Sequence, residues 1–277
     1  ITTKNNYFHL GVTGEISQYE FFKKFEPPKE LQRQIVKYAN DKGIMIFSAP
    51  SHIKDLEIMK EMDLSIYKIG SDLACHIPLL REVAKIGKPI ILSTGMCNMD
   101  EVNESVNAIL STGNEQLILL HCVSDYPAKI NESNLNAMLT MKTQFELPVG
   151  YSDHTLGINI PFAAAVLGAN IVEKHFKHLM NQPSPDDIHA LNVEEFGNLI
   201  SSVRDVEKAK GDGIKIPTQS EKKNMIENRI SIIGDLPGSN WDEIGAYQMK
   251  KTPDGNYWWL KITGLQPRTE YSFQYLI

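Results

Sequence analysis

Cysteine is scarce in this chain: Cys75, Cys97 and Cys122 are all it has in 277 residues, without CxxC spacing. An odd number in that arrangement points to neither a disulfide framework nor a zinc cluster, and fits a reducing compartment. Positive charge is also in short supply. Lys and Arg number 28 against 34 Asp and Glu, giving a net charge of −6 and a sequence pI near 5.8. That balance argues against a nucleic-acid partner, since phosphate backbones are held mainly by Lys and Arg. No stretch approaches the roughly eighteen consecutive apolar residues of a membrane span, and residues 1 to 20 lack the charged, apolar and small-residue zones of a signal peptide. We therefore expect a soluble, unexported, cytoplasmic protein that acts on small molecules. GxGxxG, Walker and GxSxG motifs are missing too, and Gly211 and Gly213 follow a helical pattern, so they read as a helix stop.

What is present is a cadence. Six short apolar runs end in polar or ionisable residues: IMIFSAP, IYKIGSD, PIILSTG, LILLHCVSD, LPVGYSDH and NIVEKH. Continuous apolar runs suit parallel strands buried on both faces, and the segments between them are long enough for helical crossovers. The periodicity predicts helices at about 52 to 63, 76 to 86, 99 to 112, 131 to 145, 156 to 168 and 193 to 210. Before them, Gln18 to Lys42 reads as helix interrupted by Pro27 and Pro28, which would begin a new helix rather than sit inside one. Asn98 followed by Glu101 reads as a reciprocal helix cap just after a strand. The pattern is that of an α/β barrel, in which loops after the strands build the active site. Ser48, Lys68, Ser71, Ser93, His121, Ser124, Ser152, His154 and His175 would then gather at one mouth.

The two ends do not fit that scheme. Residues 1 to 17 carry neither helical nor strand periodicity, where a complete barrel should begin with a strand, so the start looks cut. Beyond Arg229 all three tryptophans, Trp241, Trp258 and Trp259, appear together with several tyrosines. There TPDGNYWWLKI reads as a turn and a strand, and TEYSFQYLI as a second strand that also ends abruptly. A boundary is expected near residue 230, with domains at 1–230 and 231–277.

Three groups of residues carry chemistry. Strand alternation in IYKIG puts Lys68 on one face with Ile66 and Gly70, and Tyr67 with Ile69 on the other, so the lysine is enclosed by mostly apolar faces. Unpaired there, an ammonium would cost several kcal/mol, on the order of a buried ion, or lose its proton. It needs either an internal carboxylate such as Glu173 or an anionic ligand. His154 and His175 follow adjacent runs and could converge on one divalent ion, with Glu173 as an outer partner; equally, each could be a lone hydrogen-bonded histidine. Ser48, Ser71, Ser93 with Thr94, Ser124 and Ser152 recur at strand ends. Singly each suits a helix cap; together they form a cradle for a phosphate or carboxylate.

The segments YKIGS, KPIILSTGM, LLHCVSDYPA, LPVGYSDHTLG, LGANIVEKHF, the PDD at 185 to 187 and PTQSEKKN resemble, in order and spacing, the sialic acid synthase (NeuB) family over about residues 18 to 230. The resemblance implies a TIM barrel condensing phosphoenolpyruvate with an N-acetylated amino sugar, N-acetylmannosamine or a relative, to a nonulosonic acid with release of phosphate. It implies a divalent metal, Mn²⁺ first with Mg²⁺ or Co²⁺ as substitutes, held by His154 and His175. Lys68, Ser71, Ser93 and Ser152 become phosphoenolpyruvate ligands, and Ser124, Tyr126 and Asp186 face the substrates. Lys68, Tyr126 and Asp186 are the implied catalytic groups. A homodimer is compatible with this reading; a membrane or nucleic-acid partner is not.

There are departures from the family pattern. The first two strands have no counterpart, FSTP is FSAP at Ala49, GPD is Ser184, Pro185, Asp186, and the small antifreeze-like domain after NRISI is replaced. The replacement weakly resembles the β-sandwich appendages of starch-degrading enzymes, where a tryptophan pair is more often core than sugar platform. The expected fold is therefore α/β, a TIM (β/α)8-type barrel that is incomplete, its first two strands missing, plus a small C-terminal β segment. Six strands would leave two open edges, to be met by a partner chain, the tail's strands or disorder. The rival to the synthase is a non-catalytic truncated barrel or carbohydrate-binding fragment.

Overall fold

The structure is a computed structural model that describes residues 4–6, 15–178, 186–224, 231–239, 241 and 247–276. Contacts divide the chain into two units, Ile1–Gly211 and Asp212–Ile277. Residues 225–230, where the change in sequence character falls, lie outside the described residues.

The first unit opens with an antiparallel pair, β1 (Lys4–Asn6) and β2 (Glu15–Ser17). This corrects the expectation that residues 1 to 17 hold no strand: three-residue strands are too short for a period of two to register in sequence. Ser17 then caps α1 (Gln18–Phe25) reciprocally, accepting from Glu20 N at 3.1 Å while Glu20 Oε2 accepts from Ser17 N at 2.8 Å. As expected, the proline pair ends one helix and starts α2 (Lys29–Asp41).

Helices and strands alternate from there. They are α3 (Asp55–Glu61), β3 (Tyr67–Ile69), α4 (Ile77–Ala84), β4 (Ile90–Ser93), α5 (Met99–Leu110), β5 (Leu117–Cys122), α6 (Leu135–Phe145), β6 (Val149–Asp153), α7 (Asn159–Val166), β7 (Val172–Lys174) and α8 (Val193–Ala209). The strands form one parallel sheet in the order β3-β4-β5-β6-β7. The cap on α5 is the reciprocal one read from the sequence: Asn98 Oδ1 accepts from Glu101 N at 3.0 Å and Glu101 Oε2 accepts from Asn98 N at 2.7 Å.

Alternation sorts the side chains into two layers. Tyr67, Ile69, Ile90, Leu92, Leu117, Leu119, Val149 and Tyr151 face the helices and pack with Leu56, Leu79, Leu80, Val106, Ile109 and Met138 in one core. The opposite parity, Lys68, Ser93, Cys122, Ser152 and Glu173, faces the concave side. Gly150 lets β6 lie close to the next strand, since a Cβ there would meet Ile171 O at 2.3 Å.

The sheet has five strands rather than the expected six. The run at 44–50 contributes only a parallel bridge, Ser48 to Tyr67, and Ile44 and Met45 are 63% and 64% exposed. With its apolar side chains so exposed, burial adds little to hold this run in a ladder. Neighbouring α2 likewise buries no residue fully, and a groove of about 630 Å³ runs between it and Ile46, Met59 and Leu64. At the other edge Phe176 bridges Leu191 in parallel. The unit is a curled, incomplete α/β barrel.

The second unit holds α9 (Gln219–Asn224), β8 (Ser231–Gly234), β9 (Tyr247–Gln248), β10 (Lys250–Lys251), β11 (Trp258–Trp259) and β12 (Phe273–Leu276). Its strands pair with one another, in an antiparallel sheet ordered β12-β8-β9 and a β10-β11 hairpin. The turn read from TPDGN joins that hairpin, with Gly255 at φ +76° and Asn256 N donating to Asp254 Oδ1 at 3.2 Å. The tryptophans are not both core: Lys250 and Lys251 lie over Trp259 and Trp258 at 5.9 and 5.5 Å, and Trp259 is about half exposed. Among the described residues no helix is long and apolar enough to cross a membrane.

Candidate active site

The concave layer brings the ionisable strand residues together at two levels. At the lower level Lys68 Nζ donates to Ser93 Oγ at 2.6 Å and to Ile69 O at 3.1 Å, and stands 3.7 Å from Glu173 Oε1. Glu173 in turn accepts from Ser152 Oγ at 2.7 Å. Register explains the grouping: Lys68 sits opposite Ile91, two residues before Ser93, and Ser152 lies opposite Glu173. The internal carboxylate foreseen for Lys68 is present, but its distance is longer than a direct charge-assisted hydrogen bond. The ammonium thus keeps capacity for an anion.

Above Ser93 the chain turns at Gly95, whose N–H donates to Ser71 Oγ at 3.0 Å. No side chain fits here: a Cβ on Gly95 would fall 2.2 Å from Ser124 Oγ, 2.8 Å from Ser71 Oγ and 3.2 Å from Cys122 Sγ. Three loops therefore converge on one glycine, and the hydroxyls of Ser71 and Ser124 border the same spot. Cys122 lies 3.8 Å from both Ser124 Oγ and His154 Nδ1. Burial pushes its thiol up, but contacts from His154, Ser71 and Ser124 outweigh that and lower its pKa.

At the upper level the same parity places His154 two residues beyond Ser152 and His175 two beyond Glu173. Their rings are 5.2 Å apart, and His189 lies 4.6 Å from His175 and 5.9 Å from His154. Tyr126 covers the group, 4.2 Å from the His154 ring; burial pushes its phenol up to about 12. His154 Nδ1 donates to Val123 O at 2.8 Å, so its Nε2 carries the lone pair when the ring is neutral. Desolvation acts to lower the His154 pKa, yet the bonds to Cys122 and Val123 raise it overall. Asp186 Oδ2 is 3.2 Å from His175 Nδ1, a contact that, ahead of the opposing effect of burial, holds its carboxyl below the usual range.

His175, Asp186 and His189 offer ligand atoms all within 4.8 Å of one another. The donor set fits a borderline divalent cation. His189 supplies a specific sign of that fit: its Nε2 is buried with no hydrogen-bond partner among the described residues. Burial first, and then the positive potential of His175, hold its pKa down to about 4, leaving the imidazole neutral, as metal ligation requires.

Sequence reading did not find His189. It comes to the site because Leu191 N donates to His175 O at 2.9 Å and the turn at 186–190 folds His189 N onto Asp186 O at 3.2 Å. The only local signal was a histidine three residues after Asp186 in PDDIH. Also missed was a buried ion pair at the strand ends that carry the imidazoles. Asp153 and Lys174, both almost fully buried, pair at 2.6 Å; Thr155 Oγ1 donates to Asp153 at 2.9 Å and Lys174 also donates to Thr155 O. That pair ties the end of β6 to the end of β7 through the residues that immediately precede His154 and His175, on the opposite face of the sheet.

Two expected mouth residues lie elsewhere. His121 points to the helix layer, bonded through Nε2 to Ser133 O at 3.0 Å and tilted against the Tyr151 ring at 5.6 Å, because its parity is opposite to that of Cys122. Ser48 is exposed at the sheet edge, its carbonyl accepting from Lys68 N. Ser184 and Pro185 lie outside the described residues.

An ammonium, hydroxyls and a backbone N–H below, with imidazoles and a carboxylate above, at the C-terminal ends of parallel strands, define a barrel-class protein with a potential anion site beside a potential cation site. Comparison narrows the class. The model of the NeuB family matches residues 2–215. N,N'-diacetyllegionaminic acid synthase from Campylobacter jejuni is 39% identical over 219 residues, covering 78% of this chain and 66% of that protein. Its namesake from Legionella pneumophila is 35% identical over 226 residues, 79% of this chain and 64% of the other. The crystal structure of N-acetylneuraminic acid (sialic acid) synthetase from Leptospira borgpetersenii, in complex with citrate, superposes with a TM-score of 0.67 at 33% identity, covering 72% of this chain and 70% of that one. The chain belongs to the NeuB family. It spans just under two thirds of the length of these curated relatives, at 66% and 64%.

Proposed function

We propose that this chain carries the barrel site of a phosphoenolpyruvate-dependent nonulosonic acid synthase. The observation that carries the reading is Lys68: a mostly buried ammonium held by Ser93, with Glu173 at 3.7 Å rather than in direct hydrogen-bond contact. Lys68, Ser93, Ser152, Ser71 and the Gly95 loop would bind phosphate and carboxylate oxygens of phosphoenolpyruvate. Ser124, Tyr126 and Asp186 would face an N-acetylated amino sugar. His154 and His175, with His189 and Asp186 beside them, would hold a divalent cation, Mn²⁺ in our reading. Such a cation, when bound, supplies Lewis-acid polarisation of a carbonyl oxygen.

The residues' own work is positioning and charge compensation. Lys68 and the hydroxyls would orient the enol so that its C3 lies against the aldehyde carbon of the open-chain sugar. A C–C bond would form there as the enol's C=C pair attacks and the aldehyde's C=O pair passes to its oxygen, which takes a proton; C2 becomes cationic, water adds to C2 and gives up a proton, and the C2–O bond breaks so that phosphate leaves with its bridging oxygen and C2 becomes a ketone. The cradle offsets negative charge that builds on the leaving phosphate. We further read the exposed Ile44–Phe47 edge as the place where the family's first two strands would pair, which accounts for the solvent exposure of that run.

The relatives' names include diacetylated products, so the sugar panel comprises N-acetylmannosamine and a diacetamido hexose. The test is phosphate release from phosphoenolpyruvate with each sugar and Mn²⁺, against an EDTA control. Sugar- and metal-dependent release supports the synthase. No release above background with any sugar rejects it for this chain; calorimetric binding of phosphoenolpyruvate alone would then favour the non-catalytic barrel.

A further inference from the structure

The three cysteines are all free, yet two of them are neighbours. Cys75 Sγ and Cys97 Sγ are 3.6 Å apart, although twenty-two positions separate them in sequence. The parallel sheet creates the contact. Cys75 immediately precedes His76, the N-cap of α4, and Cys97 immediately precedes Asn98, the N-cap of α5. The two residues occupy the same place in successive strand–loop–helix units, and β3 and β4 lie side by side. Cys75 is exposed and Cys97 half-buried. Burial, reinforced by the adjoining Cys75, pushes the Cys97 thiol up to about 12, so the exposed Cys75 is the group that meets a reagent first.

We propose that Cys75 and Cys97 are a redox pair that closes reversibly to an intramolecular disulfide and thereby alters the anion cradle. The sulfurs are separated by a contact distance, and about 1.5 Å of approach through side-chain rotation reaches bonding range. The carboxylate of Glu101 is also close enough to complete a cation-binding trio with the two thiols, but it is occupied by the α5 cap, which leaves the thiols to react with each other. A low-molecular-weight disulfide is the oxidant. The Cys75 thiolate attacks one of its sulfurs, forming a mixed disulfide and expelling one thiolate. Cys97 then gives its proton to that thiolate or to solvent and attacks the Cys75 sulfur, expelling the second. Two protein thiols lose two electrons, and the reagent becomes two thiols.

The link to the cradle is a short chain of contacts. Cys97 Sγ donates to Gly95 O at 3.5 Å, and Gly95 N donates to Ser71 Oγ at 3.0 Å. Disulfide formation removes the S–H and draws the Cys97 sulfur towards Cys75, so the carbonyl of Gly95 loses a partner in the loop where Ser71 and Ser124 converge. This second half of the inference rests on the proposed phosphoenolpyruvate site; the disulfide itself does not.

The experiment treats the full 277-residue chain with oxidised glutathione, quenches in acid, unfolds, alkylates and maps peptides by mass spectrometry. The expected product is a Cys75–Cys97 linked peptide in monomeric chains, with Cys122 alkylated, reversed by dithiothreitol. Cys97→Ser should arrest at the Cys75 glutathione adduct. A stable Cys75 adduct in the unmutated chain, with Cys97 alkylated, or linkage only between molecules, overturns the pair. Calorimetry with phosphoenolpyruvate should show affinity falling about tenfold on oxidation, the scale of a disturbed hydrogen bond or two, with no such fall in Cys75→Ser. A linked peptide with unchanged affinity overturns the coupling. If the reduced chain binds no phosphoenolpyruvate, the proposed function fails while the mapped cross-link stands.

Discussion

Replacing Lys174 by Met tests the buried ion pair at the strand ends that carry the imidazoles. Lys174 and Asp153 are 1% and 0% exposed and pair at 2.6 Å, so the substitution strands a carboxylate in the interior. Removing one partner of a buried pair costs about 3–5 kcal/mol, because the remaining charge is uncompensated. Here Asp153 would keep the hydroxyl of Thr155 at 2.9 Å and its N–H at 3.3 Å, which places the expectation near the lower end, about 3 kcal/mol. With a urea m-value of about 2 kcal/mol/M, the unfolding midpoint followed by circular dichroism at pH 7 should fall by roughly 1–2 M. Asp153→Asn combined with Lys174→Met removes the stranded charge while retaining the Thr155 contact, and should recover at least half of the loss. A single-substitution cost below about 1 kcal/mol, or a double variant that simply adds two penalties, would refute the idea that an enclosed ion pair joins β6 to β7.

Further outcomes follow from the two levels of the site. Lys68→Met should weaken phosphoenolpyruvate binding by about 10- to 150-fold, the worth of a charged hydrogen bond, with an unchanged circular dichroism spectrum; unchanged calorimetric affinity would remove Lys68 from the cradle. Gly95→Ala should displace the hydroxyls of Ser71 and Ser124, reducing the same affinity, and cost about 1–3 kcal/mol of stability, the range for an overpacked site. His189 is held neutral, its pKa lowered to about 4, whereas the unfolded imidazole takes up its proton near pH 6.5. The unfolded state therefore binds more protons in that window. Its contribution to metal-free stability is fully present above about pH 6.5 and is lost by about 3 kcal/mol as pH falls towards 4. His189→Asn should flatten that part of the pH–stability curve, and an unchanged slope would refute the assignment.

Much of this molecule was written in local pattern. Period-two alternation put Lys68 on the concave face and Tyr67 and Ile69 against the helices, and Asn98 with Glu101 announced the start of α5, because strands and caps depend on neighbours one to four positions away. The hydroxyls and imidazoles at strand ends followed from the same repeat: a parallel sheet carries equivalent positions to the same end. The resemblance to the NeuB family added roles to those positions that spacing alone could not assign.

Tertiary structure decided what depends on register and on edges. His189 reaches His175 only through the Leu191 bridge, Asp153 finds Lys174 only across the β6–β7 ladder, and Cys75 meets Cys97 only because two loops stack side by side. The run at 44–50 has the composition of a strand, but among the described residues it makes only the Ser48–Tyr67 bridge, and Ile44 and Met45 remain in solvent. Apolar content and periodicity are properties of a segment and can be read along it. Pairing partners, burial of charge and the distance between two thiols are properties of two segments at once, and only the folded chain brings them into being.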